Sequence, residues 1–288
     1  MSAHKKLREI YMNKKIKVSF QGVIGAYSHL ACVNHFSSDV IAIECETFQD
    51  AMDMVEANEV DFALIPIENK TAGRVDEFYG LIPSMKLQIV GEHYQKIEHC
   101  LLGTQESSLE KIEVAYSHPQ GLAQCRNRLR GLNIDPIAKY DTAGSAKEVA
   151  HLQDSHIGAI ASSLAAKTYG LKILKENMED EKENFTRFLV LGKKQDIVEE
   201  HCEYKTSLIF KINNISSSLY QALGAFANNG VNLLKIESYI PLKKRDESHF
   251  HIDVDGSPSD QSLKRALIAL RACVQELKIL GTYEKAYN

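Results

Sequence analysis

The sequence predicts an α/β protein made of two lobes facing each other across a cleft, followed by a smaller βαββαβ unit. Three observations carry this. Strand, small polar cap and helix recur in that order through the first part of the chain. The alternation restarts after a long, extended, apolar-rich run at 87–102, as if the chain crossed from one lobe to another. After Lys205 the pattern changes to two amphipathic helices set among four strands, the ferredoxin-like order.

With 288 residues, 44% of them hydrophobic, the chain has enough apolar material for two or three cores. The net charge is −4 and Lys and Arg are scattered, so no basic stripe argues for nucleic acid. No apolar run approaches the roughly 20 residues that span a bilayer, and the N-terminus lacks the apolar core of a secretory signal. Six widely spaced cysteines without a Cys-x-x-Cys pair read as free thiols in a reducing cytoplasm. Eleven histidines form no metal-binding spacing, and neither a Gly-x-Gly-x-x-Gly nor a Walker-type loop is present. No metal and no cofactor are therefore expected.

The alternating run 16–20 reads as a strand entering Gln21-Gly22-Val23-Ile24-Gly25-Ala26-Tyr27-Ser28. The glycines permit a tight turn and Ser28 is expected to cap the next helix, a common way to build an anion site from free backbone N–H groups. A second strand, 40–43, precedes Thr47-Phe48-Gln49-Asp50, an approximate capping box. The buried-looking strand 61–67 ends in the polar loop Glu68-Asn69-Lys70-Thr71-Ala72-Gly73-Arg74-Val75, beyond a strand's carboxyl end, where ligands sit in open α/β sheets.

In the second lobe, a strand at 111–116 leads to Ser117-His118-Pro119-Gln120, with Ser117 as the expected cap and Pro119 starting a helix to Gly131. A strand at 134–138 leads to Asp141-Thr142-Ala143, and one at 157–160 to Ser162 and a helix stopped by Gly170. After the charged stretch 175–183, Asn184-Phe185-Thr186-Arg187-Phe188-Leu189-Val190-Leu191 reads as the return crossing to the first lobe. Its leading edge carries a hydroxyl and a guanidinium, Thr186 and Arg187, two groups suited to a carboxylate.

These loops together resemble the prephenate dehydratase family. The resemblance runs through Gly22–Ser28 with His29-Leu30-Ala31, Ile65-Pro66-Ile67-Glu68-Asn69 with Gly73 and Val75, and Ser117-His118-Pro119-Gln120 with Ala123-Gln124-Cys125. It continues through Asp141-Thr142-Ala143, Ala159-Ile160-Ala161-Ser162, Tyr169-Gly170-Leu171 and Asn184–Phe188. The C-terminal unit is similar to the family's ACT regulatory domain at Gly230-Val231-Asn232-Leu233 and Lys235-Ile236-Glu237-Ser238.

The resemblance implies a cytoplasmic, cofactor-free carbon–oxygen lyase converting prephenate to phenylpyruvate, water and carbon dioxide in phenylalanine synthesis. It implies a catalytic domain at 16–195 like a type II periplasmic binding protein, with one lobe at 16–95 and 184–195 and the other at 96–183. An ACT domain at 204–285 follows. The short segment ahead of 16 leaves no room for the chorismate mutase of fused relatives, so a monofunctional form is expected. Homodimers or homotetramers are expected partners.

Thr186 matches the family's essential threonine. Arg187 is expected to grip a substrate carboxylate, Asn69 to orient polar substrate groups, and Glu68 to be either a catalytic acid or a structural partner. Gly25, Tyr27, Ser28, Ser117, Gln120, Thr142 and Phe188 are expected to line the substrate site. L-Phenylalanine is the expected effector, held by Ser217, Ser218, Leu219, Asn232, Glu237 and Ser238. There the usual Gly-Ala-Leu and Glu-Ser-Arg-Pro are altered to Ser217-Ser218-Leu219 and Glu237-Ser238-Tyr239-Ile240. Val23, Ala26 and Lys70 are further departures. Arogenate in place of prephenate, both substrates together, or an idle amino-acid sensor are the alternative readings.

Overall fold

The computed structural model describes residues 15–37, 39–193, 202–239 and 248–286. Ile240, the end of one expected strand and motif, lies outside them. The chain begins with β1 (Lys17–Gln21), α1 (Tyr27–Phe36), β2 (Ile41–Cys45), α2 (Phe48–Glu56), β3 (Phe62–Asn69), β4 (Gly73–Arg74), α3 (Asp76–Leu81) and β5 (Gln88–Lys96). The extended run 87–102 is thus two strands, because β6 (Cys100–Gly103) belongs to another sheet. Then follow β7 (Val114–Ser117), α4 (Pro119–Gln124), α5 (Arg126–Gly131), β8 (Asp135–Ala138), α6 (Thr142–Leu152), β9 (Ile157–Ala161), α7 (Ser163–Tyr169) and β10 (Lys172–Lys175). The single helix expected up to Gly131 is broken at Cys125, whose backbone leaves the helical region.

Strand β11 (Phe185–Gly192) returns to the first sheet, whose order is β2-β1-β3-β11-β5; the second sheet runs β10-β6-β9-β7-β8. These two sheets, each flanked by helices, are the two-lobed α/β arrangement that the sequence predicts. The C-terminal unit is β12 (Tyr204–Ile212), α8 (Ser218–Ala227), β13 (Leu233–Tyr239), β14 (Ser248–Asp255), α9 (Gln261–Cys273) and β15 (Glu276–Glu284), an antiparallel sheet ordered β13-β14-β12-β15. Among the described residues, no helix is long and apolar enough to cross a membrane.

Strand β3 fixes the geometry that matters most. It pairs with β1 only as far as Leu64, so Pro66, which has no N–H to give, sits beyond the end of that ladder. On the other side β11 pairs in the opposite direction. The register passes from Arg187↔Glu68 to Phe188↔Pro66 and skips Ile67, a β-bulge. Beyond the bulge Thr186 stands opposite Asn69 and Arg187 opposite Glu68. Residues directly opposite share a face, and successive residues alternate, so one pair faces one way and the other pair the reverse.

One face of this sheet buries Phe20, Leu64, Phe188 and Val190 against α1. The other merges with the C-terminal unit, where Ile65, Ile67, Ile89, Leu189 and Leu191 form one core with Ile209, Tyr239, Leu280 and Tyr283. The two backbones meet closely. A Cβ on Gly281 would lie 2.0 Å from the carbonyl oxygen of Ile89, so no larger residue fits there.

Candidate active site

The site lies where the two lobes meet, at the ends of β3 and β11. Asn69 is its hub. Its Oδ1 accepts from the backbone N–H groups of Thr71 (3.0 Å) and Ala72 (2.9 Å) and from the Thr71 hydroxyl (2.8 Å). Two backbone donors identify that atom as the oxygen, so the other terminus is the NH2. Nδ2 donates to Asn184 Oδ1 and to Thr186 Oγ1, both at 2.9 Å, and lies 3.3 Å from the Phe185 carbonyl. Both amide protons are therefore committed within the protein. Asn69 does not reach for substrate; it holds Thr186. Because Thr186 Oγ1 accepts from Asn69 and is only partly buried, its own proton is left for a ligand in the cleft.

Lobe contacts surround this hub. Gln124, at the end of α4, donates from Nε2 to Thr71 Oγ1 at 2.8 Å, and its Oε1 lies 2.8 Å from His99 Nε2. His99, 2% exposed on the crossing between β5 and β6, meets the Tyr27 hydroxyl through Nδ1 at 2.8 Å. Burial pushes its imidazole below the usual histidine range, against Gln124 and Glu179, which favour the charged form. The Tyr27 hydroxyl, 2.8 Å from the Glu98 carbonyl as well, is engaged rather than open to substrate.

The Gly-rich turn is held by the second lobe. Ser162 Oγ donates to the Gly25 carbonyl at 2.7 Å and Tyr169 donates to that of Ile24 at 2.5 Å. Gly25 has φ +93° and a Cβ there would sit 3.2 Å from Ala165 Cα, so it serves lobe contact and turn geometry. Helix α1 is capped by Ala26 and not by Ser28, and no side chain closes its first turn. Ser28 instead belongs to that open turn.

Two expected site residues, Ser117 and Phe188, are packed in the interior. Ser117 is fully buried, its hydroxyl given to the Ile160 carbonyl on β9; the cap of α4 is His118, whose Nδ1 accepts from the Gln120 N–H. Phe188, 1% exposed, is core. Gln120 and Thr142 lie in the first turns of α4 and α6, and Asp141 already caps the latter.

Arg187 is the largest correction. It faces away from the cleft, 3% exposed, under the C-terminal unit. Its Nε and Nη2 meet Glu92 Oε2 at 2.8 Å, Nη1 meets Asp253 Oδ2 at 2.7 Å and Glu68 Oε1 at 3.3 Å, and Nη2 donates to the Tyr283 hydroxyl at 3.1 Å. Lys205 adds a second cation on Glu92 at 2.8 Å, and Lys235 one on Glu68. Three cations thus meet three carboxylates. Burial opposes ionisation of Glu68, but Lys235 and Arg187 outweigh it and hold the carboxyl below its usual range. An ionised Glu68 clamped by Lys235 has no proton to donate, so it is a structural partner and not an acid. For Asp253 burial again opposes ionisation, and Arg187 above all holds it far below the ordinary range.

In the C-terminal unit, Ser217 precedes α8 at φ 71° without capping it through its side chain, and Ser218 is buried. Glu237 pairs with Lys235 and Arg74, at 3.5 and 3.6 Å, and the Ser238 carbonyl accepts from Arg74 at 2.8 Å, so both lean on the first lobe. A groove of about 770 Å3 runs along α8, lined by Tyr220, Leu223, Gly224, Val231, Asn232 and Ala269; of the expected effector residues only Asn232 lines it.

The family model "Prephenate dehydratase" matches residues 18–196, more than half of the chain. This chain belongs to the prephenate dehydratase family. It is 37% identical over 273 residues to a bifunctional N-acyl-homoserine lactone acylase/prephenate dehydratase of Komagataeibacter europaeus, covering 94% of this chain and 97% of that protein. It is 38% identical over 285 residues to arogenate dehydratase/prephenate dehydratase 1, chloroplastic, of Arabidopsis thaliana, covering 94% and 72%. The crystal structure of prephenate dehydratase in complex with L-Phe from Arthrobacter aurescens superposes with a TM-score of 0.85 at 28% identity, covering 94% of this chain and 90% of that one.

The members of the hub that sequence reasoning missed are Thr71, His99, Gln124 and Asn184. Thr71 lies two residues from Asn69, a spacing at which an Asn side chain turns back on the following backbone; Gln124 and Asn184 join the hub across 53 and 115 positions, beyond the reach of any local pattern.

Proposed function

We propose that this chain catalyses the decarboxylating dehydration of prephenate, with Thr186 as hydrogen-bond donor to the departing ring hydroxyl. The observation that carries this is the 2.9 Å bond from Asn69 Nδ2 into Thr186 Oγ1, which directs the threonine proton toward the cleft. As the ring carboxylate leaves as carbon dioxide, its C–C electron pair enters the ring. The C–O bond opposite breaks, hydroxide departs and takes up a solvent proton, and the ring becomes aromatic. The pull is in the substrate. A threonine hydroxyl is far too weak an acid to surrender its proton, so it acts as a preorganised donor where negative charge develops. The open first turn of α1, at Tyr27 and Ser28, supports an anchor for one carboxylate.

Arogenate carries the same reacting ring, and the likeness to an Arabidopsis protein named for both substrates supports a site that accepts either. Incubating pure protein with each substrate and measuring phenylpyruvate and phenylalanine tests this. Thr186→Ala should lower kcat about 10²–10³-fold, as for removal of one oxyanion-type donor. A folded variant with near-full turnover would remove Thr186 from the mechanism.

The catalytic domain is read as 16–195 and the C-terminal unit, 204–285, as an ACT domain that binds phenylalanine. The βαββαβ order, the helix start at Ser217 with no side-chain cap, and the L-Phe complex of the Arthrobacter relative support this. Leu234 and Ile236, exposed on the edge strand β13, favour pairing of copies into a dimer or tetramer. Calorimetry showing no phenylalanine binding, with turnover insensitive to it, would defeat the regulatory reading.

A further inference from the structure

We infer that Thr71, held by Gln124 of the opposite lobe, is a positioning residue that tunes the donor strength of Thr186 and ties it to lobe contact. The inference rests on the reading of Thr186 as the donor to the leaving hydroxyl.

The argument is the order of donors and acceptors. Gln124 Nε2 donates to Thr71 Oγ1 at 2.8 Å, and the Thr71 hydroxyl is 2.8 Å from Asn69 Oδ1. Having accepted from Gln124, that hydroxyl has its proton free for Asn69, an acceptor-only oxygen. Asn69 Nδ2 then donates to Thr186 Oγ1 at 2.9 Å. At the other end Gln124 Oε1 lies 2.8 Å from His99 Nε2, so the buried ring packs beside the amide that begins the run. Each group donates toward Thr186, so the dipoles add. A hydroxyl that accepts a strong hydrogen bond is itself a better donor, and chains of this kind strengthen cooperatively.

One link has a separate meaning. Thr71 follows β3 of the first lobe, whereas Gln124 ends α4 of the second. Their bond is the step at which the chain crosses the cleft. The polarisation of Thr186 through this run therefore depends on contact between the lobes. His99 is rigid enough to hold Gln124 in place: it is 2% exposed, with Tyr27 on one ring nitrogen, Gln124 on the other, and its backbone N–H on Glu179 at 2.8 Å. Two backbone N–H groups also hold Asn69 Oδ1, so loss of the Thr71 hydroxyl weakens the chain without releasing Asn69.

The test is a double-mutant cycle on the full chain with prephenate as substrate. Thr71 is exposed, so Thr71→Val should fold. Its kcat should fall about fivefold, the effect of one hydrogen bond of ordinary strength, with KM little changed. Thr71→Ser, which keeps the hydroxyl, should restore turnover. In a Thr186→Ala background Thr71→Val should cost nothing further, since the group it acts through is gone. An equal loss in both backgrounds would mean general damage and overturn the proposal. So would full kcat in Thr71→Val while Thr186→Ala is impaired. Full turnover in Thr186→Ala alone would instead remove the threonine reading itself, a distinguishable result.

Discussion

Asp253→Asn probes the junction between strand β11, which carries the proposed donor, and the C-terminal unit. The substitution is isosteric and removes one charge from a cluster in which Arg187, Lys205 and Lys235 balance Glu68, Glu92 and Asp253. Arg187 and Asp253 are 2.7 Å apart and both buried. At an effective dielectric of about 20 such a pair is worth about 6 kcal/mol of gross Coulomb attraction. Removing one partner of a buried pair typically costs about 3–5 kcal/mol. Glu92 and Glu68 still hold Arg187, so the lower end applies, about 3 kcal/mol. With a urea m-value of about 3 kcal/mol/M, the unfolding midpoint followed by circular dichroism should fall by about 1 M. The pH dependence has a definite sign. The folded Asp253 carboxyl is held below its unfolded value, so its contribution is fully present above about pH 4 and is lost as pH falls from there toward the folded value. The gap between wild type and variant should therefore narrow in acid. A loss under about 1 kcal/mol at pH 7, or a gap that does not change down to about pH 3, would refute the pairing as the source of stability.

Arg187→Lys should lower stability by about 1–3 kcal/mol, because a point charge cannot serve Glu92, Asp253 and Tyr283 together, while KM for prephenate stays within about twofold. A rise in KM of about tenfold or more would return Arg187 to the substrate. Gly281→Ala puts a Cβ onto the Ile89 carbonyl and should lower the thermal midpoint clearly, by the 1–3 kcal/mol or more of an overpacked core; an unchanged midpoint would mean the two sheets separate freely. Ser217→Gly relieves a left-handed backbone at φ 71° and should stabilise the chain by about 1 kcal/mol in urea titrations. No gain would show that Ser217 leaves that conformation in solution.

The legible parts of this chain are those set by neighbours in sequence. The capping box at Thr47 and Asp50, the caps at Asp141 and Ser162 and the glycine stop at Gly170 all occur as their residues dictate. Ser28 and Ser117 do not cap, because a small hydroxyl near a helix start is only permissive, and Ala26 and His118 take the position by backbone geometry. The case of Thr186 and Arg187 is different, since their opposite facing is local information. Adjacent residues on a strand point to opposite faces. If Thr186 faces the cleft, Arg187 must face away, and a guanidinium facing away from solvent needs carboxylates. Glu68 is the cross-strand neighbour of Arg187 by the same alternation that makes Asn69 the neighbour of Thr186. What no local rule supplies is Asp253, Lys205 and Tyr283, which arrive from strands of a separate unit. The pair at the start of β11 thus divides its labour by strand geometry alone. One residue meets the cleft, and the next binds that strand to the sheet that covers its other face, so any force on the C-terminal unit is transmitted one peptide bond from the proposed donor.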